Sequence, residues 1–215
     1  MDYNSCMAAM AEHTSIDSIT LSGLPMPIAL RLPVLLSDEE LIAFSRSIRP
    51  YQVERNANGE LEIMSPNDLK GASLEAYAMR ALGNWAADYG GVVISSQGGF
   101  TLADNSVRMA DASWISATRW SAMTSREREG FARLSPDFLI EIRSKSDSLS
   151  KLQAKMEMWM ANGAQLAWMI DPYAGGVSIY RPGVAVETLL RPASIEADGP
   201  VAGFRLAMVE VWESV

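Results

Sequence analysis

Two carboxylates in this sequence stand in otherwise apolar surroundings: Asp111 in the run Val107 to Ile115, and Glu141 in Phe138 to Ile142. Both runs predict strands, and the second is apolar enough for a strand buried on both faces. An unpartnered carboxylate there is costly, so each must be paired, protonated or bound to a metal. Carboxylates on neighbouring strands could converge on a hard cation such as Mg²⁺, which takes a few oxygens and keeps water. The plainer alternative is an ion pair with a nearby arginine, Arg108 or Arg143. Asp137 shares a strand face with Glu141 at i and i+4, but ~13 Å between such Cα atoms is too far to share one ion. It reads as the residue leading into the strand after Pro136.

Lys155 is the basic counterpart. It lies in a predicted helix, Leu149 to Ala161, whose apolar stripe is Leu149, Leu152, Met156, Trp159 and Met160. Lys155 falls roughly 80° from the centre of that stripe and Lys151 roughly 120°. Lys155 therefore flanks the buried face and could send its amine toward the end of the sheet, while Lys151 points to solvent. The alternative for Lys155 is a buried stem with a solvated head.

Several elements must position these groups. Ser37 to Glu40 has the pattern of a capping box and opens a helix to about Ile48, before Pro50. Tyr51 to Arg55 and Glu60 to Met64 form a hairpin around Asn58-Gly59. A long helix starts at Pro66-Asn67 and runs to about Asp88, with Leu74, Tyr77, Ala78, Ala81, Leu82 and Trp85 on its apolar side. Strands follow at Val92 to Ser95, Phe100 to Leu102 and Val107 to Ile115, then a short charged helix at Ser125 to Phe131. After Phe138 to Ile142 and the Lys155 helix come strands at Leu166 to Ile170, Gly176 to Arg181 and Val184 to Leu190. The order predicts a mixed sheet covered by helices, α/β or α+β. With no repeat or linker, residues 21–215 read as one domain, and residues 1–20 as a poorly ordered tail.

Composition narrows the chemistry. The chain has 215 residues, 48% of them hydrophobic, with 18 Lys+Arg against 26 Asp+Glu, a net charge of -8. Such a balance argues against nonspecific polyanion binding, which needs cationic phosphate contacts. One histidine, His13, and one cysteine, Cys6, exclude a structural zinc site and a disulfide scaffold, and a Ser-His-Asp or Cys-His mechanism would have to use His13. Carboxylates, lysine or arginine, and an oxygen-liganded metal remain. The charge is uneven: residues 119–155 carry 8 Lys+Arg and 5 Asp+Glu, whereas the segments on either side are net acidic. A basic stretch that holds Glu141, Arg143 and Lys155 suits a local phosphate track, or an ordinary charged helix. The lone cysteine suits a reducing compartment. No run is long and apolar enough for a membrane span, and no signal peptide is evident, so a cytoplasmic protein is expected. Trp85, Trp114, Trp120 and Trp159 read as core or interface residues, and the 13 methionines as soft core filler.

The stretch Val53-Glu54-Arg55-Asn56-Ala57-Asn58-Gly59-Glu60-Leu61-Glu62-Ile63-Met64-Ser65-Pro66 resembles the opening motif of the Uma-type family of putative restriction endonucleases, within the PD-(D/E)xK nuclease superfamily. Ser96 to Leu102, Arg108 to Trp114, Pro136 to Ser144, Leu152 to Met156, Asn162 to Ala164 and Trp168 to Pro172 continue it in the family's order, over roughly residues 30 to 206. The resemblance implies a restriction-endonuclease-like mixed sheet flanked by helices, with an acidic site at one edge. It places Asp111 and Glu141 at the two acidic positions, Glu54 as a third acidic group, and Lys155 at the lysine of the following helix. It implies hydrolysis of DNA phosphodiester bonds with Mg²⁺ (or Mn²⁺) held by Asp111, Glu141, the Ile142 carbonyl and Glu54, in a homodimer. Two positions depart from the pattern: Ala110 replaces proline, and Arg143 replaces the lysine two residues after Glu141. An arginine can hold a phosphate but is always protonated and cannot act as a base, so Lys155 must supply the amine. Arg143 and, more weakly, Lys145 are then expected to bind phosphate. The alternatives are a nucleic-acid-binding or regulatory module on the same fold with little catalysis, or a structural protein whose carboxylates only pair with arginines.

Overall fold

The computed structural model describes Leu24 and residues 26–214. His13, Cys6 and the tail of residues 1–20 lie outside the described residues.

The chain enters through a short strand, β1 (Ile28–Leu30), where the prolines predict only an extended lead-in. It pairs at a sheet edge, the place in a sheet where flanking prolines are tolerated. Helix α1 (Asp38–Ser47) has the expected cap: Ser37 Oγ accepts from the Glu40 N–H and the Glu40 carboxylate accepts from the Ser37 N–H. Strands β2 (Gln52–Arg55) and β3 (Leu61–Met64) form the expected hairpin, whose turn needs Gly59 at φ +82°. Helix α2 (Leu69–Tyr89) begins later than expected because Asp68, whose carboxylate accepts from the Gly71 N–H, is its cap.

Strands β4 (Val92–Ser95) and β5 (Gly99–Thr101) follow. The single strand expected over Val107 to Ile115 is two, β6 (Val107–Met109) and β7 (Ala112–Ile115), with Ala110 and Asp111 between them. The two halves belong to different sheets: β6 pairs with β5 and β2, and β7 with β4 and β8 (Phe138–Ile142). An extra short helix, α3 (Ala117–Ala122), precedes α4 (Ser125–Glu129). Helix α5 (Leu149–Ala161) then links β8 to its parallel neighbour β9 (Leu166–Asp171), a pairing that requires a crossover. β10 (Gly176–Tyr180) and β11 (Glu187–Leu190) extend that sheet. β12 (Ser194–Glu196), β13 (Arg205–Ala207) and α6 (Val209–Glu213), which periodicity did not reveal, close the chain.

The result is the expected mixed α+β fold. One sheet has the order β1-β3-β2-β6-β5, the second β11-β10-β9-β8-β7-β4, and β12-β13 forms a small ribbon. Strand β8 shows how the second sheet is covered. Phe138 and Ile140 pack with Leu74, Ala78 and Leu82 of α2, while Leu139 packs on the opposite side with Leu152, Met156 and Trp159 of α5. By the two-residue alternation of a strand, Glu141 shares the α5 side with Leu139. A third cluster, including Leu41, Phe44, Val53 and Ile63, seats α1 on the first sheet. Among the described residues no helix is long and apolar enough to cross a membrane.

Candidate active site

The seam between the two sheets gathers the carboxylates. Glu54 comes from β2, Asp111 from the break between β6 and β7, and Glu141 from β8. Lys155 of α5 lies among them. Its ammonium donates to the Met109 carbonyl at 2.8 Å, and lies 3.1 Å from Glu54 Oε1 and 3.0 Å from Glu141 Oε1. Trp159, one helical turn on and therefore on the same face, donates its indole N–H to Glu141 Oε1 at 2.9 Å. Glu141 and Glu54 are 4% and 3% exposed, so both carboxylates depend on protein partners.

Glu54 has its own. Arg108 donates to its Oε2 at 2.8 Å and the Met109 N–H to its Oε1 at 2.9 Å. The Asp111 carboxylate accepts from the Ile142 N–H at 2.6 Å. Beyond Asp111 stands Glu75 of α2, whose carboxyl is hydrogen-bonded to that of Asp111 and also accepts from Ser96 Oγ, at 3.0 Å, and from Asn67. The row Glu54–Lys155–Glu141 thus continues through Asp111 to Glu75.

Electrostatics divides the row in two. Burial favours neutral Glu54, but the Lys155 and Arg108 cations outweigh it and hold that carboxyl below the ordinary range. Burial pushes Glu141 up to about 8, against the pull of Lys155 and with help from Asp111 and Glu54. Burial, then the charge of Glu75, push Asp111 up to about 7, against Lys155 and the Ile142 N–H. Burial also raises Glu75. Burial disfavours the Lys155 ammonium, yet Glu141, Glu54 and Asp111 together push it above the ordinary lysine range. Lys155 is therefore a fixed cation at neutral pH, while burial favours the neutral form of Glu141, Asp111 and Glu75.

This has a consequence for the metal-free protein. A carboxyl raised in the fold binds its proton more tightly there than in the unfolded chain. Its stabilisation is present at low pH and is lost as pH climbs from the unfolded value to the folded one. From about pH 5 up to about 7 for Asp111 and about 8 for Glu141, each lowers stability by up to ~1.4 kcal/mol per pH unit. Glu54 acts oppositely, its contribution disappearing only at acid pH. The melting temperature is expected to peak at about pH 5 and fall toward pH 8. In the Asp111→Asn/Glu141→Gln double variant the fall should be shallower; an identical slope would mean that these carboxyls ionise normally.

The remaining expected residues lie elsewhere. Arg143 does not pair with Asp111 or Glu141: its Nη1 donates to Asp171 at 2.9 Å and its other nitrogens reach the Asp147 carbonyl. Lys145 is exposed on the loop after β8, and Lys151 is exposed on α5. The expectation of Glu54 as a metal ligand meets a side chain whose oxygens face Arg108, Met109 and Lys155. Asp137 stands at the start of β8, as expected, where it accepts from the Ser116 N–H and from Arg119. The arginines of the basic stretch 119–155 are largely matched within the fold, mostly by acids from outside the stretch. Arg119 pairs with Asp137, Arg126 with Glu39, Arg133 with Asp38 and Arg143 with Asp171, while Arg128 donates to the carbonyls of Trp120 and Met123.

Sequence reasoning missed Glu75 and the polar use of Trp159. A signal for Glu75 existed: it lies ~40° from the centre of the Leu74–Ala78–Leu82–Ala86 stripe, closer than Lys155 lies to its own. The indole of Trp159 gave none, because a tryptophan in an apolar stripe reads as core.

The family model described as "Uma2: Putative restriction endonuclease" matches residues 39–209. Among solved structures, the chain is similar to the crystal structure of a putative nuclease belonging to DUF820 from Anabaena variabilis ATCC 29413. The identity is 20% and the TM-score 0.63, over 76% of this chain and 90% of that one, which shows a shared fold. No curated protein matches.

Proposed function

Because the chain belongs to the Uma2 family of putative restriction endonucleases, we propose that it hydrolyses DNA phosphodiester bonds at the Asp111–Glu141–Lys155 cluster, using Mg²⁺ or Mn²⁺. The observation that carries this reading is the surplus of buried and half-buried carboxyls around one ammonium. Lys155 lies against Glu54 and Glu141, while Asp111 and Glu75 stand beyond it, both raised by burial.

The donors suit a hard cation in kind, since they are carboxylate oxygens without sulfur or imidazole. Among the described residues no three acidic, His or Cys side chains are placed together to hold a metal ion. An open site of one or two carboxylates completed by water and substrate is the ordinary Mg²⁺ arrangement. Asp111 and Glu141, with the Ile142 carbonyl, would hold the ion. Such an ion supplies Lewis-acid polarisation of a phosphoryl oxygen and lowers the pKa of water.

The chain's own residues do the rest. The Lys155 ammonium has three donors, and the Met109 carbonyl, Glu54 and Glu141 engage it in this arrangement. One donor must turn to the substrate for lysine to stabilise charge developing on phosphate. Glu141 is the partner to release it, because its charge is disfavoured by burial whereas that of Glu54 is supported by Arg108. Glu54 thus positions Lys155, and Arg143 fixes the end of β8 through Asp171. In the same reading the protein is a cytoplasmic homodimer.

A second reading, a DNA-binding module without cleavage, draws on the same full engagement of Lys155. Plasmid cleavage separates them. Nicking or linearisation in Mg²⁺ or Mn²⁺, absent in EDTA, is expected. Saturable Mn²⁺ and DNA binding without cleavage would favour the second reading, and no Mn²⁺ binding by calorimetry would overturn the metal site.

A further inference from the structure

Of the 18 Lys+Arg in the chain, most cations are matched within the fold. Among the described residues only two arginines, Arg46 and Arg49, have no ion pair, hydrogen bond or aromatic ring contact. Both are exposed, and they stand side by side: Arg46 in the last turn of α1 and Arg49 just beyond it. They line one cleft together with Gln52, Gln97, Glu129 and Met109. Met109 ties this cleft to the cluster described above, because its N–H donates to Glu54 and its carbonyl accepts from Lys155.

Hydrogen bonds tie the elements of the cleft together. Asp38, the first residue of α1, accepts from Arg55 at 2.8 Å and from Thr101 at 2.9 Å, which locks the helix to β2 and β5. Gln52 is held by a hydrogen bond from its amide to the Ser96 carbonyl at 3.3 Å. Two adjacent like charges on a protein of net charge -8, without internal partners, are a cost that an external anion would offset. The one carboxylate on the wall, Glu129, lies beyond ion-pairing distance of both arginines.

We propose that Arg46 and Arg49 bind backbone phosphates of the nucleic-acid strand next to the scissile phosphate, with the Gln52 and Gln97 amides facing its sugars or base edges. This assigns the electrostatic track to the α1 end of the site, not to the internally paired arginines of residues 119–155. It rests on the nuclease reading above. Arginine forks suit phosphate, and glutamine amides can both donate and accept at sugar or base edges.

The test is fluorescence anisotropy with a labelled DNA duplex in Ca²⁺ buffer, over a range of salt, for the wild type, Arg46→Ala/Arg49→Ala and Lys145→Ala/Lys151→Ala. The arginine pair should weaken binding by about 10-fold or more at low salt, and reduce the slope of log K against log salt by about 2. The lysine pair should change either much less, and inorganic phosphate should not displace the duplex. Melting curves should match the wild type, since both arginines are exposed and unbonded. Wild-type binding that the arginine variant leaves unchanged would overturn this inference alone. Displacement by inorganic phosphate at matched phosphate concentration would make the cleft a site for the free anion and overturn it likewise. A wild type that binds no DNA would overturn both this inference and the nuclease reading.

Discussion

Asp111→Asn is expected to reduce DNA cleavage by about 10³-fold while making the metal-free protein more stable at pH 8. The two effects share one cause. Asp111 is placed where its charge is unwelcome: burial and Glu75 push its carboxyl up to about 7, and its protein donor is the Ile142 N–H. Asparagine can still accept that hydrogen bond through its amide oxygen but carries no charge to hold a cation. Removing the charge should raise stability at pH 8 by about 1 kcal/mol, or about 2 to 4 °C in melting temperature for a chain of this length. At pH 5, where Asp111 is already protonated in the fold, the gain should vanish. Cleavage that survives both Asp111→Asn and Glu141→Gln would remove these carboxylates from the chemistry. Unchanged stability at pH 8 would show that Asp111 is not strained by its neighbours.

Lys155→Met should act in the opposite direction on stability, and strongly. The ammonium is the shared partner of Glu54 and Glu141, and methionine leaves two buried carboxylates facing each other without it. Removing one partner of a buried pair costs about 3 to 5 kcal/mol. Glu141 can escape by taking a proton, since burial already pushes it up to about 8. Glu54 retains Arg108 and the Met109 N–H. The loss should therefore be larger at pH 8.5 than at pH 5.5, and urea unfolding at both would read it. Lys155→Met/Glu141→Gln should recover part of the stability at pH 8.5 but none of the cleavage. A loss below about 1 kcal/mol, the range of a surface pair, would mean that Lys155 is not the centre of the cluster.

Much of this fold was legible because it rests on local chemistry. The Ser37–Glu40 capping box, the Asn58-Gly59 hairpin and the apolar runs of β8 and β9 depend on residues a few positions apart. The same holds for Lys155, whose placement beside a helical stripe follows from spacing alone. Glu54, Asp111, Glu141 and Lys155 were all named from sequence, the first of them through family resemblance. Their partners were less accessible. The apolar run through Asp111 reads as one strand, because nothing local says that its halves pair in different sheets. Arg143, a neighbour of Glu141 in sequence, instead pairs with Asp171, 28 residues away. The basic stretch 119–155 reads as a free cationic surface until Glu39 and Asp38, from the start of α1, are brought against its arginines.

What the sequence by itself determined is the kind of chemistry available. One histidine, one cysteine and carboxylates set in apolar strands leave an oxygen-donor site with a lysine, because residue type and local period are properties of neighbours along the chain. Only the tertiary structure decided how the charges are divided. It placed Asp111 at the seam of two sheets, brought Glu75 to it from the helix on one side and Lys155 to Glu141 from the helix on the other, and left Arg46 and Arg49 unmatched. Coulomb energies and burial depend on distance in space, and those distances exist only once strands and helices remote in sequence have packed together.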